Sequence, residues 1–192
     1  MNAYTVLELV SNNKMEELKK LAKAEITEKA IKENEGNKEL RRYKSAIKYF
    51  KKVNNDRLNG TWEENGKQCF TNGYSAFILD NKINGLKEIQ KGFDIYKAIG
   101  NTENYVEIPV NIKEIKANFK IQKAQSKQKI YYYDIGISRY NIEFIIHCYD
   151  ILGGDITFKQ HVKDELSCAM MESENGICIL LPIKKPQEGE HA

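Results

Sequence analysis

Apolar positions in the first part of this chain recur every three to four residues. Between residues 5 and 34 they fall at Met15, Leu18, Leu21, Ala22, Ile26 and Ala30, a narrow stripe that predicts a helical arm with Thr5 and Asn13 as available caps. The remaining faces carry Lys and Glu, many three or four apart, where each opposite pair adds about 0.2–0.5 kcal/mol. A solvated surface helix is the simpler reading, and an arm that docks on a partner is the alternative. Asn34, Glu35, Gly36 and Asn37 break the pattern as a hinge. A second helical period covers residues 38–53, with Leu40, Tyr43, Ile47 and Phe50 on one face.

After the turn residues Asn54, Asn55 and Asp56 the pattern becomes strand-like, at 60–64, 67–71 and 74–80. Asn65-Gly66 and Asn72-Gly73 separate these runs, and Asn-Gly between apolar runs is a strong hairpin signal because both residues tolerate positive φ. A loop or short helix is expected over 84–100, a strand over 105–110 interrupted by Pro109, and strands over 117–122 and 129–137. Residues 138–152 return to helical period with Ile142, Ile145, Ile146 and Tyr149 inward and Gly153-Gly154 as the stop. Three last strands follow at 155–161, 168–171 and 176–182, with Glu174-Asn175-Gly176 as a turn.

This order is an internal repeat: a helix and three strands, an irregular connection, then a helix and three strands again. The period is too long for a solenoid and predicts one α+β domain of two like halves with antiparallel sheets. The organisation expected is an N-terminal helical arm at 1–37, a domain at 38–185 and a flexible tail at 186–192. A length of 192 residues suits one core with an appendage. With 41% hydrophobic residues and three prolines, the composition is that of a folded chain.

Charge sharpens the picture because it is uneven. The net charge is only +3, yet residues 38–57 hold eight basic residues against Glu39 and Asp56, a local +6. Arg41, Arg42, Lys44, Lys48, Lys51 and Lys52 lie on the second helix, and such a concentration suits phosphates or an acidic protein surface. A solvated surface helix is the competing reading. Tyr131, Tyr132 and Tyr133 invite base stacking, but alternating strand side chains that bury one face account for them better. Lysine outnumbers arginine twenty-six to four, which fits the coding bias of an AT-rich genome such as that of a phage or mobile element.

Taken in order, several of these stretches resemble one family. RRYKSAIKYFKKV followed by NGTWEENGKQCFTNGYSAFIL is similar to the helix and hairpins of a bacterial sliding DNA clamp domain, with Phe70-Thr71-Asn72-Gly73-Tyr74 in place of its Ala-Thr-Asp-Gly-like turn. SRYNIEFIIHCYDILGGDITFKQ resembles the clamp's last helix and following strand. ENGICILLPIKK resembles its closing strand, with Leu181-Pro182-Ile183 where the family has a Met-Pro-Met-like ending. The resemblance spans about residues 38–185 and implies a clamp-like domain whose helices present basic residues to DNA. Two departures stand out: the chain offers one domain where a clamp subunit has three, and residues 138–152 carry Arg139 alone against Glu143 and Asp150. A one-sided basic face suits an open groove better than an encircling ring.

Chemistry is not signalled. There is no HExxH, no phosphate loop ending in Gly-Lys-Ser/Thr and no Gly-x-Ser-x-Gly elbow. Tyr133-Asp134-Ile135-Gly136 has the look of a phosphotransferase strand, but one carboxylate cannot organise two metals, and a strand end is the better reading. His147 beside Cys148 suits core packing better than acid–base work. Cys69, Cys148, Cys168 and Cys178 show no CxxC pairing and are expected free and reduced; a zinc site from Cys148, His147 and His161 fails because adjacent residues point apart. No enzyme, metal or cofactor is expected.

No basic leader with an apolar core and no bilayer-length apolar run is evident, so a cytoplasmic protein is expected, in the host cytoplasm if phage encoded. The first functional expectation is a phage-type binding protein that engages DNA or a replication protein. The alternative is an anti-CRISPR protein that inhibits a Cas9-type nuclease, and the third is an oligomerisation scaffold pairing through strand edges.

Overall fold

The computed structural model describes residues 37–51, 58–91, 93–99, 102–126 and 130–184, together with Met15 and Asn55. The expected arm, apart from Met15 and Asn37, the residues Lys52 and Val53, and the expected tail lie outside the described residues.

The second helical period forms α1, Asn37–Phe50. Tyr43, Ala46, Tyr49 and Phe50 are buried along one side of it, as spacings of three and four require. The two Asn-Gly signals then act as expected. Asn65 and Gly66 take φ of 52° and 76° and join β1, Trp62–Glu64, to β2, Lys67–Thr71. At the next turn the Asn72 carboxamide oxygen accepts from Tyr74 N–H and Ser75 N–H, both at 2.9 Å, and β3, Ser75–Leu79, returns antiparallel to β2.

The chain then forms the five-residue helix α2, Ile95–Ile99, and the short strand β4, Tyr105–Glu107. Residues 117–122, expected as a strand, are instead the middle of α3, Ile112–Gln125. Ala117, Phe119 and Ile121 alternate as a strand would, but Ile121 is exposed while Ile115 is buried. The Asn111 side chain caps the helix by accepting from Lys113 N–H and Glu114 N–H.

The helix expected over 138–152 is also shorter. Ser138–Asn141 is strand β6, paired with β5, Tyr132–Ile135, in a separate two-stranded hairpin. Only Ile142–Leu152 is helical, as α4, with the Asn141 carboxamide accepting from Glu143 N–H at 2.9 Å. Three strands close the fold: β7, Thr157–His161; β8, Ala169–Ser173; and β9, Gly176–Leu180.

Every pairing in the main sheet is antiparallel, and its order is β1-β2-β3-β9-β8-β7-β4. The fold is therefore α+β, and its two helix-plus-three-strand units join through their last strands, β3 and β9, with Phe77 opposite Cys178. One continuous sheet results instead of separate ones. Gly176 makes the join possible: its φ is +137°, and a Cβ there would stand 2.2 Å from the Ile78 carbonyl oxygen. Both edge strands, β1 and β4, are three residues long, and Thr61 bonds to Lys87 and Ile89 beside β1, which leaves little open edge for pairing with another sheet.

One sheet face is covered by the helices. Phe70 and Phe77 stack at 4.6 Å beneath Tyr49, and the Tyr49 hydroxyl donates to the Ser75 carbonyl at 2.7 Å, so the aromatic cluster also satisfies its polar atom. α4 lies between α1 and α3 and packs on both, while also touching β3, β8 and β9. On the other face α2 packs on β3, and Ile83 and Ile95 are fully buried.

Candidate nucleic-acid interface

The basic helix divides into an inner and an outer set. Arg41, Lys44, Lys48 and Lys51 are exposed, and their spacing of three, four and three places them in one row opposite the buried side. Ten residue steps at the helical rise give this row a length of about 15 Å, with Lys51 standing one residue past the end of α1. Among the described residues, none of the four lies in an ion pair with a carboxylate. Lys52 lies outside the described residues.

Arg42 belongs to the interior, and its place among the surface cations is corrected accordingly. It is 1% exposed; its Nε donates to the Ile151 carbonyl at 2.8 Å, and its terminal nitrogens donate to the Asn81 carbonyl at 2.9 Å and to both Glu39 oxygens at 3.1 and 2.9 Å. The guanidinium thereby ties α1 to the C-terminus of α4 and to the chain leaving β3. Asn175 reinforces the same end by donating to the Leu152 carbonyl at 2.7 Å. Four orphan carbonyls normally end a helix, and here buried side chains meet two of them.

A cleft of about 260 Å³ opens beside Arg42, between the N-terminal turns of α1 and α3 and the C-terminus of α4. Lys38, Arg41 and Lys116 line it. Lys38 pairs with Glu174 at 2.8 Å, which holds the Glu174 carboxyl below its usual range, and Lys116 pairs with Asp150 at 2.9 Å. Arg41 is the cation there with no such partner among the described residues. The lysines of α3 escape a reading that treats 117–122 as a strand; the Asn111 cap and the lysine spacing were the signals that identify them.

The tyrosine run is split three ways. Tyr131 is buried and donates to the Ser126 carbonyl at 3.0 Å, Tyr133 donates to Glu114 at 2.8 Å, and Tyr132 is 37% exposed with the Arg139 guanidinium 5.9 Å from its ring centroid. Arg139 also pairs with Asp134 at 2.8 Å across the hairpin, so neither residue extends the basic row. Cys148 and Cys178 are free and buried with their sulfurs 3.2 Å apart, and burial together with the neighbouring thiol pushes Cys178 well above the usual thiol range. Such a buried thiol is suited to packing and not to nucleophilic chemistry. Among the described residues no group of three His, Cys, Asp or Glu side chains is placed to hold a metal ion, and no helix is long and apolar enough to cross a membrane.

A second concavity, about 360 Å³, lies on the sheet face turned away from α4. Ala76, Ile179, Leu58, Phe93 and Leu181 make it mainly apolar, and Phe93, Leu181 and the neighbouring Tyr74 are 50%, 40% and 61% exposed. The domain thus offers a cationic surface on its helical side and an apolar one opposite. No protein-family model, curated protein or solved structure matches this chain.

Proposed function

We propose that this chain is a non-enzymatic binding protein that engages DNA through the outer face of α1, using a domain built like that of a sliding clamp. The observation that carries the reading is the row of Arg41, Lys44, Lys48 and Lys51, exposed and without carboxylate partners among the described residues. A row of unpaired cations releases counterions from a phosphate backbone on contact and needs no base readout. Two joined helix-plus-three-strand units, with both principal helices on one sheet face, support the sliding-clamp resemblance. The short, partly covered sheet edges favour an open binding surface over a ring closed by strand pairing. Changing Arg41, Lys44 and Lys48 together to Glu is expected to abolish binding of a labelled duplex with the fold intact; unchanged affinity removes the reading.

The apolar concavity around Ala76, Phe93 and Leu181 favours a second reading, in which the domain docks on a protein. Exposed aromatic and aliphatic side chains lining a cavity are the usual anchors of protein contacts. The partners expected are a replication protein or a Cas9-type nuclease that the chain inhibits. Inhibition of a Cas9 ribonucleoprotein that is lost on changing Phe93 to Asp, and kept in the α1 charge-reversal variant, supports this reading; absence of inhibition counts against the nuclease.

A further inference from the structure

α3 carries Lys113, Lys116, Lys120 and Lys123, the same spacing of three, four and three as the row on α1. Lys113, Lys120 and Lys123 are exposed and Lys116 is half-buried. Lys116 reaches Asp150 on α4, and helical spacing places the other three along that same flank. Lys123 stands 5.7 Å over the Phe119 ring of its own helix.

The two rows also run in the same direction. The N-terminal turns of α1 and α3 meet at the cleft by the α4 C-terminus. At the other end Tyr131 bonds both to Ser126, just after α3, and to Ile142, the first residue of α4. Tyr49, near the end of α1, bonds to Ser75, whose neighbour Tyr74 stacks on Phe144 of α4. α1 and α3 are thus both antiparallel to α4 and parallel to one another. Packed helices lie about 8–10 Å apart, so the axes of α1 and α3 are at most about 20 Å apart. Between them lies α4, which has no Lys or Arg of its own and whose Asp150 is paired with Lys116; Arg139 is held by Asp134.

We infer that α3 is the second wall of the interface, with Lys113, Lys120 and Lys123 contacting one backbone of a nucleic-acid duplex while the α1 row contacts the other. The inference rests on the DNA-binding reading above and specifies its ligand as a duplex. Two phosphate backbones flanking a major groove about 12 Å wide fit two cationic rows held on either side of one helix. Lys116, already neutralised by Asp150, orients the wall and adds little to its charge.

The test uses the full chain, a labelled duplex and its isolated single strand over a series of salt concentrations. Two triple variants are compared, Lys113→Gln/Lys120→Gln/Lys123→Gln and Arg41→Gln/Lys44→Gln/Lys48→Gln; all six positions are exposed, and circular dichroism checks the fold. Each set is expected to lower the log–log salt slope for the duplex by about 2 to 3, with the α3 set leaving single-strand affinity nearly unchanged. A slope that the α1 set lowers and the α3 set does not overturns the second wall and spares the reading beneath it. Equal losses on duplex and single strand overturn the duplex assignment. Absence of binding by the unaltered chain overturns both.

Discussion

Replacing Arg42 with Met keeps a long side chain in the space and removes every donor. The Ile151 and Asn81 carbonyls lose charged partners at 2.8 and 2.9 Å, at about 1–3 kcal/mol each for a buried acceptor left bare. The Glu39 carboxylate, 29% exposed, loses its ion pair but regains water. The sum is close to the about 3–5 kcal/mol expected when one partner of a buried pair is removed. At about 2–4 °C per kcal/mol for a chain of this size, a loss of about 4 kcal/mol lowers Tm by roughly 8–16 °C. Arg41→Met, one residue away and on the surface, is expected within about 0.5 kcal/mol of the unaltered protein while weakening DNA binding. Urea and thermal unfolding of both variants, followed by duplex titration of each below its transition, separates the two roles. A loss under about 1 kcal/mol for Arg42→Met, or equal losses at the two positions, would refute the buried role.

Other consequences follow from the core and the turns. Tyr49→Ala is expected to cost about 3–5 kcal/mol by opening the Phe70–Phe77 cluster, and Tyr49→Phe about 1–2 kcal/mol through the lost bond to the Ser75 carbonyl, both measured by urea unfolding. Gly176→Ala forces Cβ against the backbone of Ile78 and Leu79 at 2.2 and 2.7 Å, so it is expected to yield insoluble protein or a much lower Tm, whereas Gly66→Ala, with open space around it, is expected to fold with only local strain. Burial pushes Cys69 up to about 11 from 9.0. The folded state therefore holds a proton that the unfolded chain releases: this thiol's contribution is complete below pH 9 and declines by about 1.4 kcal/mol per unit as pH rises toward 11. Cys69→Ala is expected to flatten that part of the profile in pH-dependent unfolding, and an unchanged slope contradicts the assignment.

The repeat was legible because its signals are local. Asn65-Gly66 sets its turn by backbone freedom, Asn72-Gly73 adds the Asn72 side chain as acceptor for two backbone N–H groups, and α1 repeats its apolar residues at helical pitch. α3 was not legible in the same way, because Ala117, Phe119 and Ile121 alternate as in a strand, and the deciding interaction is the Asn111 cap six residues before Ala117. β6 was absorbed into the following helix because Tyr140 and Ile142 suit either period, and only pairing with β5 separates them. Arg42 could have been placed correctly: helical pitch sets it on the side of Ala46 and Tyr49, which are buried, and its charge hid that fact. Its acceptors Asn81 and Ile151 are distant in sequence and no local pattern announces them.

The most direct test of DNA engagement is the salt dependence of duplex affinity for the unaltered chain. Four phosphate contacts along α1 give a log–log slope of about −3.6 at 0.9 per contact, and the lysines of α3 make it steeper. A slope of at least that magnitude, shared by duplexes of unrelated sequence, is the predicted result. A flat dependence, or no binding at low salt, would contradict the account and leave the apolar concavity as the working surface.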